Sequence, residues 1–145
     1  MKSLLPSTID TPLTLPRDQV DAFQRQGFVH LRDVFPREEI ESWRTAVSEA
    51  VRANNTEDRP LSERDTYGQA FLQTMNLWET CPEIRPLVFS KRLAGIARDL
   101  LGVEGVRLYH DQALFKEAGG GHTPWHADQF YWPLESHRTV TAWIP

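Results

Sequence analysis

The sequence predicts an α+β fold, with helices N-terminal to about residue 102 and a β-sandwich or barrel after them. Three observations predict it. Apolar residues recur at helical spacing in Ile40, Trp43, Val47 and Val51, and again in Leu93, Ile96, Ala97, Leu100 and Leu101. Past residue 105 the pattern changes to alternation and β-branching, in Val106–Lys116 and in Arg138–Pro145. Between those two runs lies a turn-forming loop, Glu117-Ala-Gly-Gly-Gly-His-Thr-Pro124. A strand, a glycine turn, a second strand, a short connection and a further strand is how a sandwich or barrel is built.

Residues 1–15, rich in Pro, Thr and Ser, are expected to form a flexible arm without a core of its own, leaving residues 16–145 as one domain. Pro16 suits the first turn of a helix whose face carries Val20 and Phe23 and which stops at Gly27. Phe28–Leu31 reads as a strand, with His30 a partly exposed strand histidine. The longest helix starts at Pro36. Glu38 and Glu39 in its first turn complement the helix dipole, and it gives out near Asn54 and Asn55. Its Trp43 reads as a packing residue. The stretch from Thr56 to Gly68 carries Glu57, Asp58, Arg59, Glu63, Arg64 and Asp65. It reads as a solvated loop or, more sharply, as a loop gating a substrate. Phe71–Trp78 fits strand or helix. Ser90 caps a scaffold helix that ends at Gly102.

The chemistry concentrates in His122-Thr-Pro-Trp-His126-Ala-Asp128. In an extended chain, residues i and i+2 point to the same face, so His126 and Asp128 present an imidazole and a carboxylate side by side. That pair supplies two corners of a 2-His-1-carboxylate facial triad, which leaves positions open on non-haem Fe(II). His122 and His126 are spaced i, i+4, as in a helical zinc site. Pro124 between them argues against a continuous helix, and the glutamate of a His-Glu-x-x-His motif is missing, so that site is excluded. In the preceding strand, His110, Gln112, Leu114 and Lys116 share one face, and Tyr109, Asp111, Ala113 and Phe115 the other.

The segment Leu108–Pro145 resembles the phytanoyl-CoA dioxygenase (PhyH) family of Fe(II)/2-oxoglutarate-dependent oxygenases. The residues that carry the resemblance are Tyr109-His-Asp-Gln112, Lys116 before the glycine loop, His126-Ala-Asp128, Trp132 and Val140-Thr-Ala-Trp143. Gly27-Phe-Val-His-Leu-Arg-Asp-Val-Phe35, followed by a helix, is similar to the family's opening, so the likeness runs from about Leu15 to Pro145. It implies helices packed on a double-stranded β-helix, a jelly-roll or cupin-like core. It implies His126 and Asp128 as iron ligands, and a hydroxylase that turns 2-oxoglutarate and O2 into succinate and CO2 while a small organic or acyl substrate becomes an alcohol. A related halogenating chemistry replaces the carboxylate ligand by a small residue; Asp128 is present, so hydroxylation is the expectation. The resemblance also places Gln112 beside the 2-oxoglutarate or the substrate, Trp143 near the co-substrate and, by position, Gln73 within reach of it. Each has a plain structural alternative: a cross-strand hydrogen bond for Gln112 and a core aromatic for Trp143. Lys116 could attract an anionic substrate or simply be solvated. Trp132 could wall the substrate cavity or anchor a loop.

The family's pattern continues with a distal histidine ligand and an arginine that holds the far carboxylate of 2-oxoglutarate. The other histidines here, His30, His110, His122 and His137, all precede the place of the distal ligand. The expectation is therefore an N-terminal fragment, inactive alone. The second expectation is a non-catalytic relative that acts as a binding module.

Bulk properties agree with a globular chain and narrow the partners. Of 145 residues, 40% are hydrophobic, and 16 basic residues stand against 20 acidic ones. That balance offers no basic excess for nucleic acid. The single Cys81 forms no intramolecular disulfide and no cysteine cluster for zinc. No apolar run reaches membrane length, and the first residues carry too short an apolar stretch for a secretory signal, so a cytoplasmic location is expected.

Overall fold

The computed structural model describes residues 8–145. It is an α+β arrangement in which helices dominate and, among the described residues, the sheet is a single two-stranded antiparallel ladder. The chain divides into two compact units. Unit 1 takes in residues up to Ser42, Pro86–Tyr109 and Arg138–Pro145, and unit 2 takes in Trp43–Arg85 and His110–His137.

Unit 1 is built on two helices. α1 (Arg17–Gln26) begins after Pro16, whose carbonyl accepts from the backbone N–H groups of Gln19 and Val20, and ends at Gly27 in the left-handed region. α6 (Lys91–Leu101) is opened by Ser90, whose hydroxyl accepts from the Leu93 N–H, and is closed by Gly102 at φ 62°. Between them lies the core of Leu15, Ile96 and Leu100, with Val20, Phe23, Val29, Leu31, Val34 and Val140 against it. The arm expected over residues 1–15 needs correction where it is described. Its first seven residues lie outside the described part, but Leu15 is buried in this core and Leu13 packs on it. The Leu15 N–H donates to Asp99 Oδ2 at 3.0 Å, and Arg92 donates to the Thr8 and Val34 carbonyls. Leu13 and Leu15 attach it, because their apolar area leaves water against α6.

Two strands expected from alternation are not strands here. Phe28–Leu31 has no ladder partner among the described residues; Val29 and Leu31 turn onto the helices while Phe28 stays exposed. Arg138–Pro145 also forms no ladder among them, and only its Val140 reaches the core. In Phe28–Leu31 the alternation reflects burial of alternate side chains on helices, a period that needs no sheet, whereas in Arg138–Pro145 all but Thr139 and Val140 are exposed.

In unit 2, the later turns of α2 (Arg37–Asn54) bury Trp43 and Val51, as the helical stripe predicts. The charged stretch after α2 is more ordered than a solvated loop. A 3-10 turn covers Leu61–Glu63, and α3 (Thr66–Ala70) is capped by Asp65, whose carboxylate accepts from the Gly68 N–H at 2.7 Å. The ambiguous Phe71–Trp78 is both elements in succession: β1 (Leu72–Met75), then α4 (Leu77–Thr80), with Asn76 at φ 53° between them. A short α5 (Arg85–Val88) follows. Leu77, only 1% exposed, anchors the corner, and its N–H donates to Asp111 Oδ2 at 3.1 Å. The strand expected over Val106–Lys116 is shortened to β2 (Gln112–Phe115), which pairs Leu72 with Phe115 and Met75 with Gln112. No helix among the described residues is long and apolar enough to cross a membrane.

Candidate metal centre

The site grows from the end of β2. There the chain turns through the glycine loop back against α3. Gly121 donates its N–H to the Gln69 carbonyl at 2.7 Å, and a Cβ on Gly120 would lie 2.9 Å from that same oxygen, so only glycine lets the two backbones approach this closely. Gly119 turns the chain at φ 78°. Arg64 fastens the contact from below. Its side chain is 6% exposed, and it donates to the Arg59 and Gly68 carbonyls and pairs with the Glu117 carboxylate at the start of the loop. Arg64, which the charge pattern places in solvent, is thus one of the buried residues of unit 2. Burial of a guanidinium is possible here because three acceptors converge on its fork.

Past the loop, the segment bearing His126 and Asp128 is not a strand. It has no ladder partner among the described residues, and a 3-10 turn begins at Asp128 (Asp128–Phe130). The side-by-side placement does not need a sheet. Ala127 is extended, at φ −121° and ψ 127°, and His126 Nε2 lies 3.3 Å from Asp128 Oδ1. The other ring nitrogen, Nδ1, lies 2.8 Å from the Pro124 carbonyl oxygen. A carbonyl only accepts, so Nδ1 carries the hydrogen, and in the neutral ring Nε2 presents a lone pair towards the carboxylate. Two electron-pair donors side by side at this distance can bind one cation together. Adjacent corners of an octahedral ion with bonds of about 2.1 Å lie about 3 Å apart, so the pair fits two such corners. A histidine whose second nitrogen donates to a backbone carbonyl is also the usual arrangement of a metal-bound imidazole. Among the described residues no third His, Cys, Asp or Glu completes a cluster.

Gln112 and Gln73 lie one diagonal step apart on the exposed face of the ladder, since Gln112 pairs with Met75 and Gln73 with Leu114. Gln73 Nε2 donates to Gln112 Oε1 at 2.7 Å, and the Tyr67 hydroxyl donates to Gln73 Oε1 at 3.0 Å. Gln112 therefore does make a cross-strand hydrogen bond, and its partner is the other glutamine singled out by sequence. The sequence pattern does not single out Tyr67. It sits in the stretch read as a loop, and the signal that could have found it is Asp65-x-x-Gly68, a helix cap that sets the tyrosine on a turn. Desolvation pushes its phenol above the ordinary tyrosine range, and the nearby charges of Tyr131 and Asp128 push it further the same way. Tyr67 thus stands within electrostatic reach of the Asp128 carboxylate.

The remaining predicted residues are dispersed. Lys116 is not merely solvated: its Nζ lies 4.7 Å from the centre of the Phe71 ring. Trp132 is half-buried, edge-on to His110 with ring centres 6.0 Å apart. Tyr131 stands edge-on to His126 at 6.1 Å. Trp143 belongs to unit 1 and is 89% exposed, so its reading as a core aromatic is corrected: among the described residues no apolar surface covers it.

With this geometry in view, comparison with known proteins is decisive on one point. Residues 23–145 match the model of the family described as phytanoyl-CoA dioxygenase (PhyH). The chain belongs to the phytanoyl-CoA dioxygenase family. A curated relative, an ectoine dioxygenase of Bordetella parapertussis, is 29% identical over 122 residues. That match covers 83% of this chain and 39% of the relative, so the chain spans well under half the length of the curated relative it matches. No solved structure matches it. The family match takes in the whole of β1, the glycine loop and the His126–Asp128 pair, which places the candidate centre within the part of the chain that is PhyH.

Proposed function

We propose that this chain carries two of the three protein ligands of an Fe(II)/2-oxoglutarate-dependent oxygenase. The observation that supports the reading best is the His126–Asp128 pair: Nε2 and Oδ1 3.3 Å apart, with the ring's other nitrogen committed to Pro124. When bound, iron and 2-oxoglutarate supply an oxidation in which O2 is consumed, the co-substrate is decarboxylated to succinate and CO2, and a C–H bond of a small organic or acyl substrate becomes an alcohol. The chain's own residues bind and orient. His126 offers a lone pair of fixed direction, because turning the ring would break its hydrogen bond to Pro124. Asp128 supplies the negative charge. Gln112, with Gln73 behind it, offers a neutral amide to the co-substrate carboxylate without adding a second charge beside the metal. Lys116 and Trp132 are assigned to the substrate side. In this reading residues 16–145 belong to a domain with a double-stranded β-helix, of which β1 and β2 are one rung, in a cytoplasmic enzyme.

The test is an anaerobic titration of the purified chain with Fe(II) and then 2-oxoglutarate. A weak visible charge-transfer band is expected. It should vanish in His126→Ala and in Asp128→Ala, each of which removes one of two ligands. No band in the unaltered chain would sink the reading.

A second reading, a non-catalytic binding module, draws on the absence of a third ligand among the described residues. The two readings part on the same titration: a competent site shows the charge-transfer band with Fe(II) and 2-oxoglutarate, and a binding module shows none. With two protein ligands, the chain by itself is expected to release no succinate from 2-oxoglutarate even where it binds iron. Measured Fe(II)-dependent succinate release would refute that inactivity and, with it, the binding-module reading.

A further inference from the structure

Tyr67, Gln73 and Gln112 form one directed relay on the exposed face of the ladder. A glutamine amide offers an acceptor at one end and two donors at the other, so a chain of amides has a polarity. Here the polarity starts at Tyr67. Its hydroxyl donates to Gln73 Oε1 at 3.0 Å, which turns Gln73 Nε2 towards Gln112 and makes it donate to Gln112 Oε1 at 2.7 Å. The Gln112 oxygen is thereby occupied, and its NH2 group is left as the outermost group of the relay, with no protein partner among the described residues. The reverse order would make the phenol oxygen the acceptor and leave the Gln112 carbonyl outermost. A phenol donates better than it accepts, because its lone pair is delocalised into the ring, so the tyrosine selects the first order.

We propose that Tyr67 is a positioning residue that sets the donor polarity of Gln112, so that this face of the ladder receives a carboxylate. The proposal rests on the oxygenase reading for the identity of that carboxylate, which is 2-oxoglutarate. It does not rest on that reading for the relay itself. Tyr67 is well placed for the role. Asp65 caps the turn that carries it, its ring stands edge-on to Phe71 at 6.0 Å, and it lies within electrostatic reach of Asp128. The hydroxyl donates its hydrogen bond to Gln73 while the ring packs on Phe71, so Tyr67→Phe removes the first without the second.

The experiment compares the unaltered chain, Tyr67→Phe and Gln112→Glu. Side-chain amide resonances of Gln73 and Gln112 are recorded by nitrogen–proton NMR, and 2-oxoglutarate is titrated in the presence of Zn(II) as a diamagnetic stand-in for iron. In Tyr67→Phe both glutamine NH2 signals should move. Affinity for 2-oxoglutarate should fall by about threefold to tenfold, the worth of one hydrogen bond, while Zn(II) affinity is unchanged. Gln112→Glu should lose 2-oxoglutarate binding altogether, since a carboxylate would then face a carboxylate. If the unaltered chain binds 2-oxoglutarate and Tyr67→Phe binds it equally well, the proposal is overturned, whether or not the amide signals move. If the unaltered chain binds none, the oxygenase reading fails. The relay then stands if the two signals move in Tyr67→Phe, and falls if they do not.

Discussion

α6 and the segment from His122 to Tyr131 occupy the two ends of the burial range. The helix turns Ile96 and Leu100 into the core of unit 1 and is capped at both ends by its own sequence. The segment leaves Trp125 fully exposed, Phe130 85% exposed and Tyr131 in solvent, and its backbone makes one 3-10 turn. Yet the segment carries the candidate ligands. The difference teaches that the two regions are held by different means. α6 is held by apolar burial, which acts without direction. The segment is held by directed polar contacts at its base: Gly121 on Gln69, Arg64 on Glu117 and His126 on Pro124.

The comparison can be broken most forcefully from the helix side. Leu100→Ala removes a side chain that is 4% exposed and leaves a cavity between α6 and the Leu15 segment. A loss of about 3 kcal/mol is expected, read as a lower urea midpoint. A change below about 1 kcal/mol would mean that unit 1 is not held by this cluster.

Arg64→Ala tests the base of the segment. It leaves Glu117 without its ion-pair partner and the Arg59 and Gly68 carbonyls without a donor. A buried pair broken on one side costs about 3–5 kcal/mol; Glu117 is 31% exposed, so about 2 kcal/mol is expected here. A cycle with Glu117→Ala and the double variant should show the two residues coupled. Additive losses would show that the glycine loop does not depend on this pair.

A smaller effect concerns the polar contact within unit 1. Burial raises the pKa of Asp99, but hydrogen bonds from the Leu15 N–H and the Arg98 side chain outweigh it, and the net shift is downward. A carboxyl depressed in the folded state contributes stability that is present above its unfolded pKa of about 3.9 and is lost as pH falls through the folded value. Asp99→Asn should therefore cost stability at neutral pH and flatten the acid limb of the stability curve below about pH 4. An acid limb identical to that of the unaltered chain would exclude Asp99 as its source.

The smallest effect is expected on the segment itself. Trp125→Ala takes away a side chain that touches solvent on all sides, so thermal stability should change by less than about 0.5 kcal/mol. A larger loss would show the tryptophan packed in solution and narrow the contrast with α6.

Much of this molecule was legible as sequence because local rules decide it. Helix periods, Ser90 and Gly102 as caps, and the side-by-side placement of His126 and Asp128 depend on residues a few positions apart. His126 and Asp128 lie side by side without a strand around them, since one extended residue, Ala127, is enough. The family was legible for a similar reason: an ordered set of short motifs survives whatever the ladder around them does.

What only the tertiary structure decided is which polar groups meet across long separations. Alternation in Phe28–Leu31 and Arg138–Pro145 did not reveal whether a strand partner or a helix face would receive the buried side chains. Charge in the 56–68 stretch did not reveal that Arg64 would be buried against Glu117, 53 residues on. Nor did any local signal join Gln73 to Gln112, or set Tyr67 at the head of their relay. The reason is physical. A hydrogen bond or ion pair between distant residues depends on where the backbone carries both ends, whereas a cap, a turn or an i, i+2 pair carries its own geometry with it.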